Sequence, residues 1–297
     1  MMRPGGSMFG TVGPAERLDR APPATALMMA AFVMAVLVME LAAPARAAGR
    51  TGAAACLAKP GRVEVLDGVG PRGEIRLASG ARVILDSLRW PEASDLAGEA
   101  QAWLDARRGA RLTVMPRGEP DRWGRERADI QVGDGDDDLA GGLIAAGLAF
   151  ADANEADLLC RPTLRLLEAA ARARGLGLWR GPVLSATDGA ALRIVSGHFA
   201  VVEGRVRHVG ERGARTYLAF GARGADALTV TVSKRTWRMV RARGLSAASL
   251  EGRPVRVRGV VEVWRGPILE AAADAIEVLD ETDRPEAGPE GERGLRR

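Results

Sequence analysis

The chain has 297 residues, enough for one large domain or for two modest domains with tails. Hydrophobic residues make up 47% of it but aromatic residues only 4%, a composition that favours small β-barrels with Ala-rich helices over one large enzyme core. The formal net charge is only +4 and the basic residues are nearly all Arg, as a GC-rich genome would give, so charge alone is weak support for a nucleic-acid partner.

The N-terminal residues 1–47 are typical of a secretory signal peptide. Arg17 and Arg20 supply positive charge, residues 24–39 form an apolar run, and residues 45–47 (ARA) match a cleavage site. The apolar run is shorter than the roughly 20 residues of a membrane span. We therefore expect an exported protein, periplasmic or extracellular. The alternative is an uncleaved segment that anchors the protein in the membrane.

Two cysteines, Cys56 and Cys160, follow the signal. In an oxidising compartment an even number of cysteines predicts a disulfide, here between the start of the first domain and a late helical segment. The alternative is a catalytic thiol, but the only two histidines, His198 and His208, belong to the second predicted domain. The disulfide is therefore the favoured interpretation.

The first predicted domain covers residues 58–180. Short runs of apolar residues indicate strands, and longer apolar periodicities indicate helices. Three strands, a helix, two strands and two helices follow one another, which is the order of a five-stranded Greek-key barrel of the OB type with helices packed against it. The predicted strands are 62–67, 74–77, 82–88, 111–115 and 127–132, and the predicted helices are 95–108, 138–147 and 163–174.

A looser stretch, 181–196, is interpreted as a linker to a second domain at 197–280. Three strands, a helix and two strands again give the OB order, so the predicted fold is mainly β with helices and contains two five-stranded barrels. The tail 281–297 is rich in charge, Pro and Gly and is predicted to be disordered. The predicted strands of the second domain are 201–208, 215–220, 227–233, 254–264 and 275–279, and the predicted helix is 234–243.

Residues 121–125 (DRWGR) resemble the D-[RK]-[YFW]-G-R signature of the staphylococcal nuclease (thermonuclease, or TNase-like) family. Three further motifs agree with that family in order and spacing, so the resemblance covers residues 60–180 and implies the family's helices around the first barrel. The second domain looks like the OB-type module that follows this domain in some exported bacterial members. The three supporting motifs are Asp67-Gly68, Pro91-Glu92 and 175–179 (GLGLW).

The resemblance implies a site for phosphodiester hydrolysis. In the family a calcium ion is held by two Asp carboxylates, two Arg side chains bind the phosphate, and a Glu activates or orients water. By position, Glu92 matches this Glu, Arg125 matches one phosphate arginine, and Asp67 matches an Asp that supports the site. The alternative for Glu92 and Arg125 is a partly buried ion pair retained for structure.

Three family positions are lost. Val69 begins a stretch without a carboxylate where one metal-binding Asp belongs, Ile84 replaces the second phosphate arginine, and Arg89 replaces the second metal-binding Asp. A guanidinium in place of a metal carboxylate reverses the sign of the charge. We therefore expect no metal and no other cofactor, with calcium expected only if the site is active.

Other residues are candidates to replace the lost groups. Glu74 follows the lengthened turn after the first strand, and Arg82 and Asp86 share the parity of Ile84 along their strand. Arg89 is itself a candidate for a fixed cation in the volume of the missing ion. Such a rearranged site is the alternative to loss of activity.

The second domain offers a candidate groove for single-stranded nucleic acid. Arg205 and Arg207 share one face of a strand, and Arg256 and Arg258 share one face of another. With Tyr217, Trp237 and Trp264 nearby in the sequence as stacking platforms, these side chains would suit a nucleic-acid strand. The alternation of Arg with Val is equally typical of any half-exposed strand in an Arg-rich protein, and an envelope protein or polymer is an equal candidate.

Three functional hypotheses follow. The favoured one is an exported thermonuclease-like protein with a degenerate active site, which acts as a binding or scaffolding module of the cell envelope and not as an enzyme. The second is an extracytoplasmic phosphodiesterase that hydrolyses DNA or RNA. The third is a structural pair of barrels in a larger assembly. Nucleic acid and an envelope protein are the predicted partners, and the sequence does not indicate the oligomeric state.

Overall fold

A computed structural model describes the chain from the first cysteine onward. All of the described residues lie in one compact unit. The predicted signal peptide and the predicted disordered tail lie outside them. Within the described ranges, no helix is long and apolar enough to cross a membrane. The residues described are 56–279, without 134, 136, 154–156 and 223–225.

The first half of the structure is built on a closed β-barrel, as the sequence predicts. Five strands close in the order β1-β2-β3-β6-β5, with β3 and β6 parallel, while β4 pairs only with β7. Alternate residues such as Leu66, Val83 and Ile130 point into the core and are buried. The strands are β1 (Arg62–Val69), β2 (Ile75–Leu77), β3 (Arg82–Leu85), β4 (Leu88–Arg89), β5 (Arg111–Arg117), β6 (Arg125–Val132) and β7 (Phe150–Ala151).

Two local features shape the barrel. The first part of β1 pairs with β5 and its last part with β2, and the register shifts between Leu66 and Gly68. Such a bulge bends a strand, so one strand can contact both neighbours of a closed barrel. The predicted strand 82–88 is interrupted, because Ser87 adopts a left-handed backbone conformation with φ of 58° and ends the run before β4.

Three helices pack against the barrel, and a disulfide ties its edge. Asp138 caps α2, where its Oδ2 accepts a hydrogen bond from Gly141 N. The predicted disulfide between Cys56 and Cys160 is confirmed, with the two Cα atoms 5.1 Å apart. The helices are α1 (Ser94–Asp105), α2 (Leu139–Ala145) and α3 (Leu164–Ala173), followed by a 3-10 turn at Gly177–Trp179.

The second half is an eight-stranded sheet. Its strand order is β10-β11-β12-β14-β13-β9-β8, and β15 pairs with β13. The range predicted as a linker, 181–196, contains β8 and α4, and Leu192 of α4 is buried in the core of this half. The elements are β8 (Leu184–Ser185), α4 (Gly189–Ile194), β9 (Phe199–Arg205), β10 (His208–Glu211), β11 (Arg215–Ala219), β12 (Thr229–Ser233), α5 (Lys234–Ala242), α6 (Ala247–Leu250), β13 (Pro254–Val263), β14 (Pro267–Glu270) and β15 (Ile276–Val278).

One strand of this half, β14, was not predicted. It follows β13 along the chain, between the predicted strand at 254–264 and the predicted strand at 275–279, which is present as β15. β14 pairs with the C-terminal part of β13 and runs parallel to β12, and β15 pairs only with the N-terminal part of β13. With four residues after a tight turn, β14 is too short for a periodicity signal.

A small aromatic cluster joins the two halves. The Phe150 ring lies 5.5 Å from the Trp179 ring and 5.3 Å from the Phe199 ring, measured between centroids. Ala171 and Val201 are buried in the same cluster. β9 of the second half thereby packs against β7 and the 3-10 turn of the first, which fixes the surfaces around the candidate site.

Candidate functional site

Glu92 lies just after β4 and contacts both halves of the structure. Its Oε1 is 3.7 Å from Nη2 of Arg89, and its Oε2 accepts a hydrogen bond of 3.3 Å from the backbone N–H of Phe199. Arg89 also lies over the Phe199 ring, 5.0 Å from its centroid. The carboxylate matched to the water-activating position is therefore occupied by a neighbouring cation and a backbone donor.

Arg125 belongs to a different cluster. Its Nε donates to Oδ2 of Asp121 at 2.8 Å, and its Nη1 lies 3.9 Å from Oε2 of Glu74. Oδ1 of Asp121 accepts from the backbone N–H groups of Trp123 and Arg125, which closes the DRWGR turn. Desolvation would raise the pKa of Asp121, but these hydrogen bonds from Arg125 and Trp123 hold that pKa below its ordinary value.

The hypothesis that Glu92 and Arg125 form one ion pair is wrong, because each has other partners. Asp67 is exposed on β1, Val69 is buried in the barrel, and Ile84 is half-buried on β3. Among the residues that the structure describes, no group of three or more His, Cys, Asp or Glu side chains is placed to hold a metal ion. The matched positions do not form a common pocket of acids.

Two of the candidate substitutes reach the Arg125 cluster. Glu74 Oε1 is 4.0 Å from Nη1 of Arg82, and Arg82 donates a hydrogen bond to the carbonyl oxygen of Trp123. Glu74 therefore lies between the guanidinium groups of Arg82 and Arg125. Asp86 does not join them: it is buried, and its nearest cationic atom is Nε of Arg117 at 3.7 Å.

Arg127 is a residue of this face that sequence reasoning missed. It is the register partner of Ile84 on the adjacent parallel strand, so it stands beside the position of the lost phosphate arginine. Its Nε is 3.9 Å from Oδ1 of Asp86. The sequence did contain a signal for Arg127. Side chains alternate along a strand, and the buried Ala128 and Ile130 face one side of β6, so Arg125 and Arg127 point outward together.

The four arginines predicted for a nucleic-acid groove do not share an exposed surface. Arg205 and Arg207 are exposed. Arg256 and Arg258 are 3% and 1% exposed, which corrects the prediction that they face a groove. Burial of their guanidinium groups is possible because Arg256 pairs with Glu203 at 2.7 Å and Arg258 is paired across the interface between the halves.

A buried ion pair connects α3 to β13. Nη1 of Arg258 donates to both carboxylate oxygens of Glu168, at 2.9 and 2.8 Å, and to the carbonyl oxygen of Ala151 at 2.8 Å. Burial raises the pKa of Glu168 to about 7, against the opposing charge of Arg165. The sequence signal was a charge on the buried face of α3, since Glu168 lies four residues after the buried Leu164 and three before the buried Ala171.

No protein-family model matches this sequence, and no match was found among curated proteins. The resemblance to the staphylococcal nuclease family therefore stays a prediction based on the motifs given above.

Proposed function

We propose that this chain is an exported binding or scaffolding module of the bacterial envelope, with a staphylococcal-nuclease-like barrel that has lost its catalytic site. The proposal rests mainly on one contact: the guanidinium of Arg89 lies beside Glu92, where a metal carboxylate would be needed. A divalent cation at this point would have to approach one acid next to a fixed positive charge, which is unfavourable for a hard cation that prefers several anionic oxygen ligands.

The strand order of the second half supports a second OB-type barrel. Only Val206 and Arg207 separate β9 from β10. If β9 and β10 are one bent strand, its first part pairs with β13 and its second part with β11, just as the first part of β1 pairs with β5 and its last part with β2. The same order of five strands then describes both halves, and a helix follows the third strand in each.

Export and the class of partner are part of the proposal. Disulfides persist in oxidising compartments, which agrees with the Cys56–Cys160 bond and with the predicted signal peptide. An envelope protein is the favoured partner over nucleic acid, because two of the four candidate groove arginines, Arg256 and Arg258, are buried in ion pairs.

A hydrolysis assay tests the loss of catalysis. Single- and double-stranded DNA and RNA are incubated with the full chain in calcium, in magnesium and in EDTA. We expect no cleavage above the buffer control in any of them. Hydrolysis that requires a divalent ion, disappears in Glu92→Gln and persists in Glu119→Gln would overturn the proposal, since Glu119 is an exposed residue that pairs with Lys59 and lies outside the site.

Phosphodiester hydrolysis by a rearranged site is the second candidate. The observation that favours it is the meeting of Glu74 with Arg82 and Arg125, which places one acid between two cations that could bind a phosphate. In that case the divalent-dependent activity would be lost in Glu74→Gln and kept in Glu92→Gln. The same assay therefore separates the two sites.

A further inference from the structure

Helix α5 presents a row of cations to solvent. Its exposed positions are four basic residues and one alanine. Lys234, Arg238 and Arg241 follow one another at the spacing i, i+4 and i+7, so these three side chains leave the same face of the helix. At a rise of about 1.5 Å per residue this cationic row is about 10 Å long. The exposed residues of α5 are Lys234, Arg235, Arg238, Arg241 and Ala242.

The cationic row is not neutralised within the described part of the chain. No described side chain forms an ion pair or a hydrogen bond with any of its three side chains, and α5 itself contains no acid. Two acids contact the helix and its C-cap residue, but both are engaged elsewhere. Asp157 accepts a hydrogen bond of 3.2 Å from the Thr236 hydroxyl, and Asp274 pairs with Arg243 at 3.1 Å.

The opposite face of α5 is packed into the second half of the structure. Thr236, Trp237 and Val240 are buried, and the Ser233 hydroxyl caps the helix by accepting from Thr236 N at 3.0 Å. The helix is therefore fixed to the sheet, and its apolar residues are used for that purpose. What α5 offers to a partner is positive charge on a rigid support.

The lack of apolar groups on this face decides between classes of partner. The centre of a protein interface is apolar and poor in lysine, and a single-stranded nucleic acid is held largely by stacking on aromatic rings. The aromatic residue of α5, Trp237, is only 3% exposed, so this face supplies neither. A duplex nucleic acid and a bilayer with anionic headgroups both bind to charge without such contacts. The bilayer is the one that an exported chain meets, so this choice rests on the export in the proposed function.

We propose that the cationic row of α5 is a docking surface for an anionic lipid bilayer. Each cation near such a surface strengthens binding by about fivefold, equivalent to about 1 kcal/mol, so three of them strengthen it by about a hundredfold. Binding of this kind is peripheral and reversible, because no apolar group enters the bilayer. It requires neither catalysis nor a metal ion.

Sedimentation with lipid vesicles tests the surface. The protein is residues 48–297, the chain that cleavage after Ala47 leaves, which contains the whole described unit and excludes the apolar run at 24–39. The vesicles are phosphatidylcholine alone, or phosphatidylcholine and phosphatidylglycerol in equal parts. We expect binding to the anionic vesicles to be about a hundredfold stronger at low salt, and this preference to vanish at about 1 M salt, where the Debye length falls to about 3 Å.

Variants locate the contact on α5. The triple variant Lys234→Gln/Arg238→Gln/Arg241→Gln should bind the anionic vesicles about a hundredfold more weakly than the unaltered chain. Arg238→Lys/Arg241→Lys keeps both charges and should keep the binding, which guards against a folding defect. Because purified protein and vesicles are used, failure of this experiment is separate from failure of export in the cell.

A control variant with the same change in net charge removes three exposed arginines of the first half and should bind almost as the unaltered chain does. Its substitutions are Arg72→Gln, Arg76→Gln and Arg111→Gln. Equal binding to both kinds of vesicle, or an equal loss in this control, would overturn the proposal. A short DNA duplex and poly-L-glutamate test the other occupants at the same salt. Tighter binding of either polymer than of the anionic vesicles, lost in the α5 triple variant, would assign the row to nucleic acid or to an acidic protein and overturn the proposal as well.

Discussion

Glu168 is a carboxylic acid with 1% of its surface exposed on the face of α3 that meets the second half. It is kept there by the guanidinium of Arg258 and by the backbone N–H of Ala151, which donates to Oε1 at 2.9 Å. Desolvation disfavours the charged form, so the pKa rises from an ordinary 4.5 to about 7. A pair of this kind is weak as a source of stability but costly to break, because a lone buried charge remains.

The raised pKa of Glu168 predicts a pH dependence of stability with a definite sign. Between pH 4.5 and about 7 the folded chain keeps a proton that the unfolded chain releases, so the free energy of unfolding falls as the pH rises through this window. Across this window the free energy of unfolding of the unaltered chain should fall by about 3 kcal/mol, because each tenfold difference in proton affinity between the folded and unfolded chain is worth about 1.4 kcal/mol. In Glu168→Gln this fall should be absent. Urea unfolding at several pH values measures it.

The exposed Glu119→Gln is the matched control for that experiment and should leave the pH profile unchanged. A Glu168→Gln profile parallel to that of the unaltered chain would show that this carboxyl has the same pKa in both states.

The residues of the candidate site were predictable only in part. Motif spacing singled out Arg125, which lies on β6 of the barrel, and Arg89 and Glu92, which lie on β4 and just after it. Their partners were not predictable: Glu92 contacts Phe199 across 107 residues of sequence, and Glu168 contacts Arg258 across 90. Contacts of that kind depend on how two halves pack, which no local pattern records.

At the scale of elements, the end of α2 meets the 3-10 turn at a close backbone approach. Leu178 N donates to the carbonyl oxygen of Gly147 at 2.8 Å, and both Gly147 and Gly177 have positive φ, of 72° and 52°. A Cβ on Gly177 would overlap the carbonyl oxygen of Gly147. Residue 177 must therefore be glycine for two reasons: its backbone has a positive φ, and a Cβ would have no room beside Gly147.

Substitution of Gly177 by Ala and of Gly98 by Ala should change the free energy of unfolding in opposite directions. Gly177→Ala should lower the free energy of unfolding by more than about 2 kcal/mol, from a left-handed residue and a backbone clash together. Gly98→Ala should raise it by up to about 1 kcal/mol, because Gly98 lies inside α1 with open space at its Cβ. Urea midpoints of both variants measure the difference, and equal midpoints would contradict it.

Element order was more predictable than element boundaries. Alternating apolar residues indicated β1, β5 and β13, and the turn residues between them indicated the barrel order of the first half. The bulge in β1 and the break at Ser87 could not be predicted, because both depend on neighbouring strands. The four residues of β14 were missed for a different reason, since a run so short has no measurable period.

At the scale of the whole molecule, the disulfide and the buried ion pair act on the same part of the chain. Cys160 lies just before α3, and the bond to Cys56 closes a loop with a sequence separation of 104. Asp274 holds the same segment from the second half, where its Oδ2 accepts from Leu159 N at 2.8 Å. Leu159 and Cys160, just before α3, are thus held from both halves.

Loss of the disulfide should therefore destabilise the whole fold. For a loop of this length the chain-entropy model gives about 3–5 kcal/mol. We expect the double variant Cys56→Ser/Cys160→Ser to unfold at a lower urea concentration than the oxidised chain and at the same concentration as the reduced chain. A double variant as stable as the oxidised chain would contradict the expectation, and addition of reductant to that variant serves as the control.

The ion pair between Glu168 and Arg258 joins residues that are made at different times. The ribosome adds Glu168 90 residues before Arg258, a delay of roughly 5–18 s at about 5–20 residues per second. Before Arg258 is added, Glu168 has a nearby cation on its own helix in Arg165, whose Nη1 lies 3.9 Å from Oε2, but lacks the guanidinium that contacts both of its oxygens. The C-terminal half of the chain therefore completes the N-terminal half, because it supplies Arg258, whose Nη1 donates to both carboxylate oxygens of Glu168.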